Sequence, residues 1–347
     1  MAVVGATYLN LADWQKRADP DGTMAPIIDL LSQSNAMLED MPWVEGNLPT
    51  GHKTTVRTGL PSGTWRQLYA GVQPTKSTTA EVTEACGNLE TYSEVDKDLA
   101  DLNGNTAAFR LGEDQAFIEG MSQDMQAAVC YSNAISTPSQ IMGLAPRYNS
   151  LSASVSTSAN IIDAGGTGST NTSMWLIGWH PNTIAGIFPR GKMAGLQQRD
   201  LGEDTKVQTD GSLYQVYRSH FKWECGLAVR DWRYAVRICN IDVTLLGGGS
   251  AANLINALVS ACHRVPVAPN GARIQTMPTD PSGIVTMAPR WGIYCNRVVA
   301  SALDRQAMNK TNVLLSMTEW NGHPITTFRG IPIRVVDKLL STEARIT

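Results

Sequence analysis

The residues of this chain best suited to chemistry are its five histidines and six cysteines. His52, His180, His220, His263 and His323 lie far apart, and none belongs to the His-Glu-x-x-His spacing that aims two imidazoles at one zinc ion. Cys86, Cys130, Cys225, Cys239, Cys262 and Cys295 contain no Cys-x-x-Cys pair, and their neighbours are mostly apolar. That pattern predicts reduced, buried thiols rather than a disulfide framework or a metal site. Cys262-His263 sets a thiol beside an imidazole, but adjacent side chains on a helix diverge. The pair reads as a helix end with His263 near the last carbonyls. Gly247-Gly248-Gly249 and Gly165-Gly166-Thr167-Gly168 lack the Lys-Ser/Thr of a phosphate loop and the spacing of a dinucleotide fold, so both read as flexible loops. No Gly-x-Ser-x-Gly elbow exists to present a nucleophilic serine. Glu203-Asp204 and Asp96-x-Asp98 lack the calcium-loop pattern and read as solvated acids. Tryptophan meets arginine at Trp65-Arg66, at Asp231-Trp232-Arg233 and at Arg290-Trp291, and Trp223 lies in a similar setting. Such pairs can stack on nucleic-acid bases. In a slightly acidic chain they fit packed protein interfaces better. No catalytic, cofactor-binding or metal-ligating residue is assigned, and no enzyme is expected.

Composition agrees. With 347 residues and 43% hydrophobic content the chain can build a substantial core. Its charged fraction is 17%, against about 25% for ordinary soluble proteins. A polar surface poor in charge suits a protein largely covered by neighbours. The net charge of −3 argues against a dedicated DNA-binding protein, which carries a basic stripe. No apolar run is long enough for a membrane-spanning helix, and the opening MAVVGATYLNLADWQKR shows no signal-peptide pattern.

The elements that would position these residues are legible in part. Thr23 can cap a helix reaching about Leu38, with Ile27, Leu30, Leu31 and Leu38 at helical spacing and Pro42 as its stop. Residues 47–101 are Thr-rich, turn-punctuated and poor in large apolar side chains. Strands are expected at 53–58, 64–69, 77–83 and 89–95, the first two joined through Gly59-Leu60-Pro61-Ser62-Gly63. An isolated ribbon of this kind is marginal in water. Its charges also segregate: Lys53, Arg57, Arg66 and Lys76 come first, then Glu81, Glu84, Glu90, Glu94, Asp96, Asp98 and Asp101. A ribbon without its own core is best explained if it lies on another molecule. Asn105 is a plausible N-cap for the strongest helix signal, 106–133, where Phe109, Phe117, Met121, Met125 and Val129 recur near every fourth position. That helix would span about 40 Å.

Residues 149–173 read as a surface flap, 174–179 as a buried strand, and 181–188 as a turn or helix. Residues 191–212 read as an irregular polar excursion. Strands follow at 213–217, 221–229 and 234–238, with Ser250 capping a helix that ends near His263. Residues 265–290 form a Pro-rich connection, 292–295 a strand, and Asn296 caps a helix over 297–308. Asn321-Gly322 between apolar runs predicts a hairpin. The last strand, 330–336, is placed toward an edge or bulge by Pro332.

The order of elements, together with four phrases, resembles a known family. The phrases are MetProTrpValGluGlyAsn (41–47), TrpArgGlnLeuTyrAlaGlyVal (65–72), TrpLeuIleGlyTrpHisPro (175–181) and PheArgGlyIleProIleArgVal (328–335). The chain resembles the major capsid proteins of tailed bacteriophages, the Hong Kong 97-type fold, and in wording those of epsilon-fifteen-like short-tailed phages. The resemblance implies an α+β capsid fold: an N-terminal arm at 1–48, an extended β-hairpin loop at 49–104, the spine helix of a peripheral domain at 105–139, a mostly axial domain at 140–310, and a return to the peripheral domain at 311–347. It implies self-assembly as hexamers and pentamers into an icosahedral head around double-stranded DNA, held by non-specific contact. It further implies assembly in the bacterial host cytoplasm and no membrane or cofactor. Only about 45 residues precede the loop, so a separate scaffolding protein is expected, with a portal protein and a decoration or cementing protein as further partners. The candidate inter-subunit contacts are Lys53, Arg57, Trp65, Arg66, Lys76, Glu90, Glu94 and Asp96. The expected pairing sets Arg57 and Arg66 against Glu90, Glu94 and Asp96 of an adjacent copy.

Overall fold

The structure, a computed structural model, describes residues 33–102, 104–247, 252–266, 289–308, 315–320 and 323–347. A short helix, Ala36–Asp40, leads into β1 (Trp43–Glu45). β2 (Gly51–Gly59) and β3 (Thr78–Ala85) pair only with each other, as a two-stranded ribbon. β4 (Gly87–Asp96) returns to the body, a short helix at Lys97–Asp101 turns the chain, and the long helix Thr106–Tyr131 follows. Next come β5 (Ile161–Asp163), β6 (Asn171–Trp179), β7 (Ile184–Phe188), β8 (Gln197–Val207), β9 (Leu213–Val229) and β10 (Ala235–Asp242). Helix Leu254–Arg264, β11 (Arg290–Cys295), helix Arg297–Met308, β12 (Leu315–Trp320), β13 (His323–Phe328) and β14 (Ile331–Val335) complete the order.

The long helix forms where the sequence places it. The Asn105 side chain accepts the Ala108 N–H at 3.3 Å, satisfying one of the donors a helix start leaves open. Phe109, Met121, Met125 and Val129 lie on the buried face. That face packs on an antiparallel layer in which β9 is flanked by β4 and β8. Phe117 stacks over Phe221 with ring centroids 6.2 Å apart. Met125 Sδ lies 3.2 Å from Cys225 Sγ. Arg110 bonds Asp200 at 2.5 Å, and Gln198 and Ser219 donate to Asp114 at 3.0 and 3.1 Å.

A second layer runs β5-β10-β6-β11-β14-β13-β12. Helices Leu254–Arg264 and Arg297–Met308 cover it, burying Leu258, Val299 and Leu303 against Val236, Ile238, Phe328 and Ile331. β6, buried along its whole length, runs through the middle. β9 joins the two layers, because its last residues, Gly226–Val229, leave β4 and pair with β7.

The C-terminal tail is locked by a buried charge. Glu343 Oε1 accepts from Tyr131 Oη at 2.5 Å, and Oε2 accepts from Arg237 Nη2 at 2.7 Å and from Ser173 Oγ. Arg237 also donates to Tyr148 O at 2.8 Å. The long helix, β6, β10 and the tail therefore meet at one ion pair.

Several sequence expectations are overturned. Residues 64–69 are not a strand; β-propensity without a pairing partner does not make one. The partner of β2 is β3, so residues 60–77 form the ribbon's loop. Residues 89–95 do not extend the ribbon: β4 is held along its full length by β9. The excursion at 191–212 contains β8, an eleven-residue strand paired with β9 around a bulge at Gly202, where φ is +73°. A positive φ at that point is what glycine tolerates. The flap at 149–173 is not all surface, since Asn160, Asn171, Thr172 and Ser173 are buried and Ile161–Asp163 forms β5. His180-Pro181 does open a turn, closed by Thr183 N donating to His180 O at 2.9 Å, but Ile184–Phe188 beyond it is strand β7, not its continuation. Pro332 does not mark an outer edge: β14 pairs with β13 at Ile331 and Pro332 and with β11 from Ile333 onward. Pro332 thus sits where β14 changes neighbour. The cap of helix Leu254–Arg264 is Asn253, which accepts from Asn256 N at 3.1 Å; Ser250 lies outside the described residues. The helix expected to end at Leu38 is described only from residue 33, where Gln33–Asn35 are not helical and Ala36–Asp40 are. Of the connection at 265–290, residues 267–288 lie outside and Arg290 already belongs to β11; the Asn321-Gly322 turn also lies outside, although Trp320 pairs with His323 as a two-residue hairpin requires.

Candidate assembly surface

The predicted contact residues divide between the ribbon and the body. Among the described residues no other strand pairs with the ribbon, and only its root is tied from outside, where Asn47 bonds the Lys53 carbonyl and N–H at 2.8 and 2.7 Å. β2 has nine residues, giving a reach of about 30 Å at 3.3 Å per residue. Threonines and cross-strand pairs hold it. Lys53 bonds Glu81 at 2.6 Å, and Thr58 meets Thr78 at 3.1 Å. Arg57 and Lys76 are exposed and have no ion-pair partner among the described residues. Among the described residues Arg66 donates only to the carbonyl of Gln67, at 3.4 Å.

The loop at 60–77 has little internal structure. Ala70 N donates to Gln67 O at 3.1 Å, and Thr75 Oγ1 to Ser62 O at 3.3 Å. Trp65 and Tyr69 are as exposed as in a free chain, at 101% and 104%, and Leu68 is 87% exposed. Tyr69 also has φ +67°, uncommon for a bulky side chain.

Where the ribbon meets the body it is gripped. His52 and Glu84 face each other across β2 and β3. Arg147 holds the Glu84 carboxylate through two parallel bonds of 2.6 and 2.7 Å, the strong bidentate geometry of a guanidinium. The same guanidinium donates to the carbonyls of Met142 and Gly143 at 3.1 and 3.2 Å. Arg230, just beyond β9, donates to His52 Nε2 at 2.7 Å. Burial, then the Arg230 charge, hold the His52 imidazole below its ordinary value, with Glu84 opposing. Gly51 is required here, since a Cβ would lie 2.1 Å from Glu84 O.

The acids expected to await a neighbouring copy are occupied at home. Glu90 pairs with Lys222 at 2.9 Å and faces His220 at 3.4 Å. The Lys222 bond, then one from Asn88, lower its carboxyl to about 2. Glu94 binds Arg218 at 2.8 Å and also Lys206. Asp96 caps the helix at Lys97–Asp101 by accepting from Asp98 N at 2.9 Å. Sequence reasoning missed Glu84, Arg147, Arg230 and Glu343, because nothing local marks a charge whose partner lies far along the chain.

The chemistry-bearing residues do not converge. No group of three or more His, Cys, Asp or Glu able to hold a metal exists among the described residues. All six cysteines are free, and five are buried. Burial pushes the Cys86 thiol to about 11 and the Cys130 and Cys295 thiols to about 12. Cys262 points inward and His263 outward. Of the tryptophans beside arginine, Trp223 is core and Trp291 stacks on Tyr234 at 5.9 Å. Only Trp65 is fully exposed among those described.

An α+β body that extends a coreless ribbon and a long helix beneath it has the architecture of a Hong Kong 97-type shell protein. A chain of bacteriophage Epsilon15, from a structure derived by cryo-EM and modelling, is 36% identical, with 99% of each chain covered and a TM-score of 0.75. A capsid chain of a native GTA particle is 10% identical over 69% of this chain and 99% of that one, with a TM-score of 0.47. A chain of the holo-SrpI encapsulin complex of Synechococcus elongatus PCC 7942 is 10% identical over 68% and 97%, with a TM-score of 0.42. No curated protein matches. The family described as Major capsid protein GP7 matches residues 19–347, and the chain belongs to it. It is a structural protein that associates with copies of itself to form the capsid of a virion.

Proposed function

We propose that this chain builds an icosahedral head as hexamers and pentamers around double-stranded DNA, with the ribbon as the strap between copies. The observation that carries the reading is the 60–77 loop, which holds Trp65, Leu68 and Tyr69 in water at the end of a gripped two-stranded lever. Such exposure is costly for a lone subunit and is relieved when a neighbour covers it. Each contact is modest, but closed symmetry repeats it around the shell. In this reading residues 49–104 are the extended loop, 105–139 the spine of a peripheral domain, 140–310 the mostly axial domain, and 311–347 the return. The role is non-catalytic. A separate scaffolding protein, a portal protein and a decoration or cementing protein complete the head, which assembles in the host cytoplasm. Because Glu90, Glu94 and Asp96 are engaged within their own chain, Arg57, Arg66 and Lys76 meet other acids on the adjacent copy, with Trp65 beside them.

The test is charge reversal of Arg57 and Arg66 together, and separately Trp65→Ala. Each is expected to cut the yield of shells seen by sedimentation and negative-stain microscopy, while the urea midpoint of the unassembled subunit stays put. Normal shells from both variants would refute the strap.

A further inference from the structure

His52 stands where the ribbon leaves the body, and both of its ring nitrogens face donors that cannot reverse. Arg230 Nη2 approaches Nε2 at 2.7 Å, and the backbone N–H of Asn47 points at Nδ1 from 3.3 Å. A neutral imidazole has one nitrogen able to accept, and a protonated imidazole has none. The shorter approach belongs to Arg230, so the neutral ring accepts there. One added proton deletes that bond and sets two cations against each other.

The groups around the ring leave the new charge a single outlet. Arg230 has no carboxylate partner among the described residues, and its buried Nε meets no acceptor. His180, in the turn between β6 and β7, also feels the Arg230 charge. Neither can neutralise a charged His52. Glu84 lies opposite His52 in the register of the ribbon, and Arg147, from the turn at Ala145–Arg147, holds its carboxylate. Lys53 and Glu81 pair on the ribbon's other face. Glu84 is therefore the anion a protonated His52 turns toward, and Arg230 is what it abandons.

We infer that His52 is a proton-operated latch: neutral, it pins the ribbon root to Arg230; protonated, it releases Arg230 and leaves the ribbon turning on the Glu84–Arg147 pin. The ribbon stays attached, because the ties at its two ends do not titrate. The Asn47 side chain holds both backbone groups of Lys53. Arg190 N donates to Leu48 O at 3.2 Å, and Cys86 N to Thr50 O at 2.9 Å. A clamp at two points becomes a pivot at one. Burial, then the Arg230 charge, hold the imidazole below its ordinary 6.5. The latch is thus closed at neutral pH and opens as the pH falls through that lowered value. It governs how firmly the ribbon is aimed, and it does not depend on what the ribbon binds.

The experiment is hydrogen exchange of the unassembled full chain between pH 7.5 and 5.0, corrected for the pH dependence of free amides, with NMR of the imidazole protons marking the His52 titration. Protection at residues 52–58 and 78–84 should fall about tenfold or more across that titration, the effect of losing a bond to a charged group, while β4 and β9 hold steady. Unchanged ribbon protection across it overturns the latch. His52→Gln keeps an acceptor for Arg230 and cannot titrate, so its ribbon should stay protected throughout. A fall in His52→Gln like the parent's would place the proton elsewhere, His180 foremost, and overturn the proposal. Arg230→Met should give low ribbon protection at both ends of the range; should that variant not fold, nitrogen shifts of His52 in the parent decide. The neutral ring should carry its proton on Nδ1, and a proton on Nε2 overturns the geometry. All of this is read without shells, so failure here leaves the strap reading standing, and failure of the strap leaves the latch.

Discussion

Removing Arg147 should loosen the root of the ribbon more than any change within the ribbon. The Glu84 carboxylate is 9% exposed and the Arg147 side chain 16%, so neither partner has much recourse to water. Arg147→Ala abolishes both bonds to Glu84 and leaves the carbonyls of Gly143 and Met142 without that donor. Stripping one partner from a buried pair costs about 3–5 kcal/mol. Glu84→Gln keeps the shape and one acceptor, and should cost about 1–3 kcal/mol, the range for a weakened bond to a charged group. Replacing both partners with apolar side chains of similar size, Glu84→Leu with Arg147→Met, should cost clearly less than the sum of the single changes, because no orphaned charge remains. Urea unfolding of the unassembled subunit measures the parent, Arg147→Ala, Glu84→Gln, the double variant and its two single changes, Glu84→Leu and Arg147→Met, and hydrogen exchange at β2 and β3 reports the root directly. An Arg147→Ala midpoint equal to the parent's, or strict additivity in the double variant, would refute the reasoning.

Two other outcomes follow from the same physics. Glu343→Ala should destabilise the subunit by about 3–5 kcal/mol, since it leaves the buried Arg237 guanidinium without its carboxylate; exchange should rise first at residues 336–347, and a tail that stays protected would contradict this. His52 and His180 are both held below the ordinary value of 6.5, burial first and Arg230 second. Their neutral forms therefore contribute stability that is fully present above about pH 6.5 and is lost as the pH falls below it toward the lowered folded values. The urea midpoint should drop between pH 7.5 and 5.5, and His52→Gln should flatten that slope; an unchanged slope would remove His52 from the account.

What could be read from the sequence was whatever each segment states by itself. The long helix announces its buried face through Phe109, Met121, Met125 and Val129 and its start through Asn105. Asn296 likewise announces the cap of helix Arg297–Met308, accepting from Val299 N at 2.9 Å. β8 was illegible because QQRDLGEDTKV has no apolar alternation; it is a strand because β9 lies beside it and Arg218 neutralises Asp204. The 64–69 segment misled in the opposite direction, having strand-forming residues and no neighbour. The same gap hid the partition of charge. Acids that looked available in order along the chain are consumed by Lys206, Arg218 and Lys222, all more than a hundred positions downstream. In the candidate site, Trp65 and Arg66 were visible as a pair, whereas the grip of Arg147 and Arg230 on the ribbon root becomes visible only in the folded chain.

β9 and β4 have a mechanical consequence. The ribbon joins β4 through Cys86 alone, and β4 is matched to β9 over ten consecutive residue pairs, Gly87↔Cys225 to Asp96↔Val216. Antiparallel ladder bonds lie across the strands. A pull along the ribbon that is directed down the axis of β4 therefore loads those bonds together in shear, rather than opening them one after another. β9 continues past that ladder into β7, so the strain passes onward into the second layer instead of stopping at a hinge. Load applied to the ribbon along that axis is therefore shared by a continuous line of strands rather than borne by a single joint.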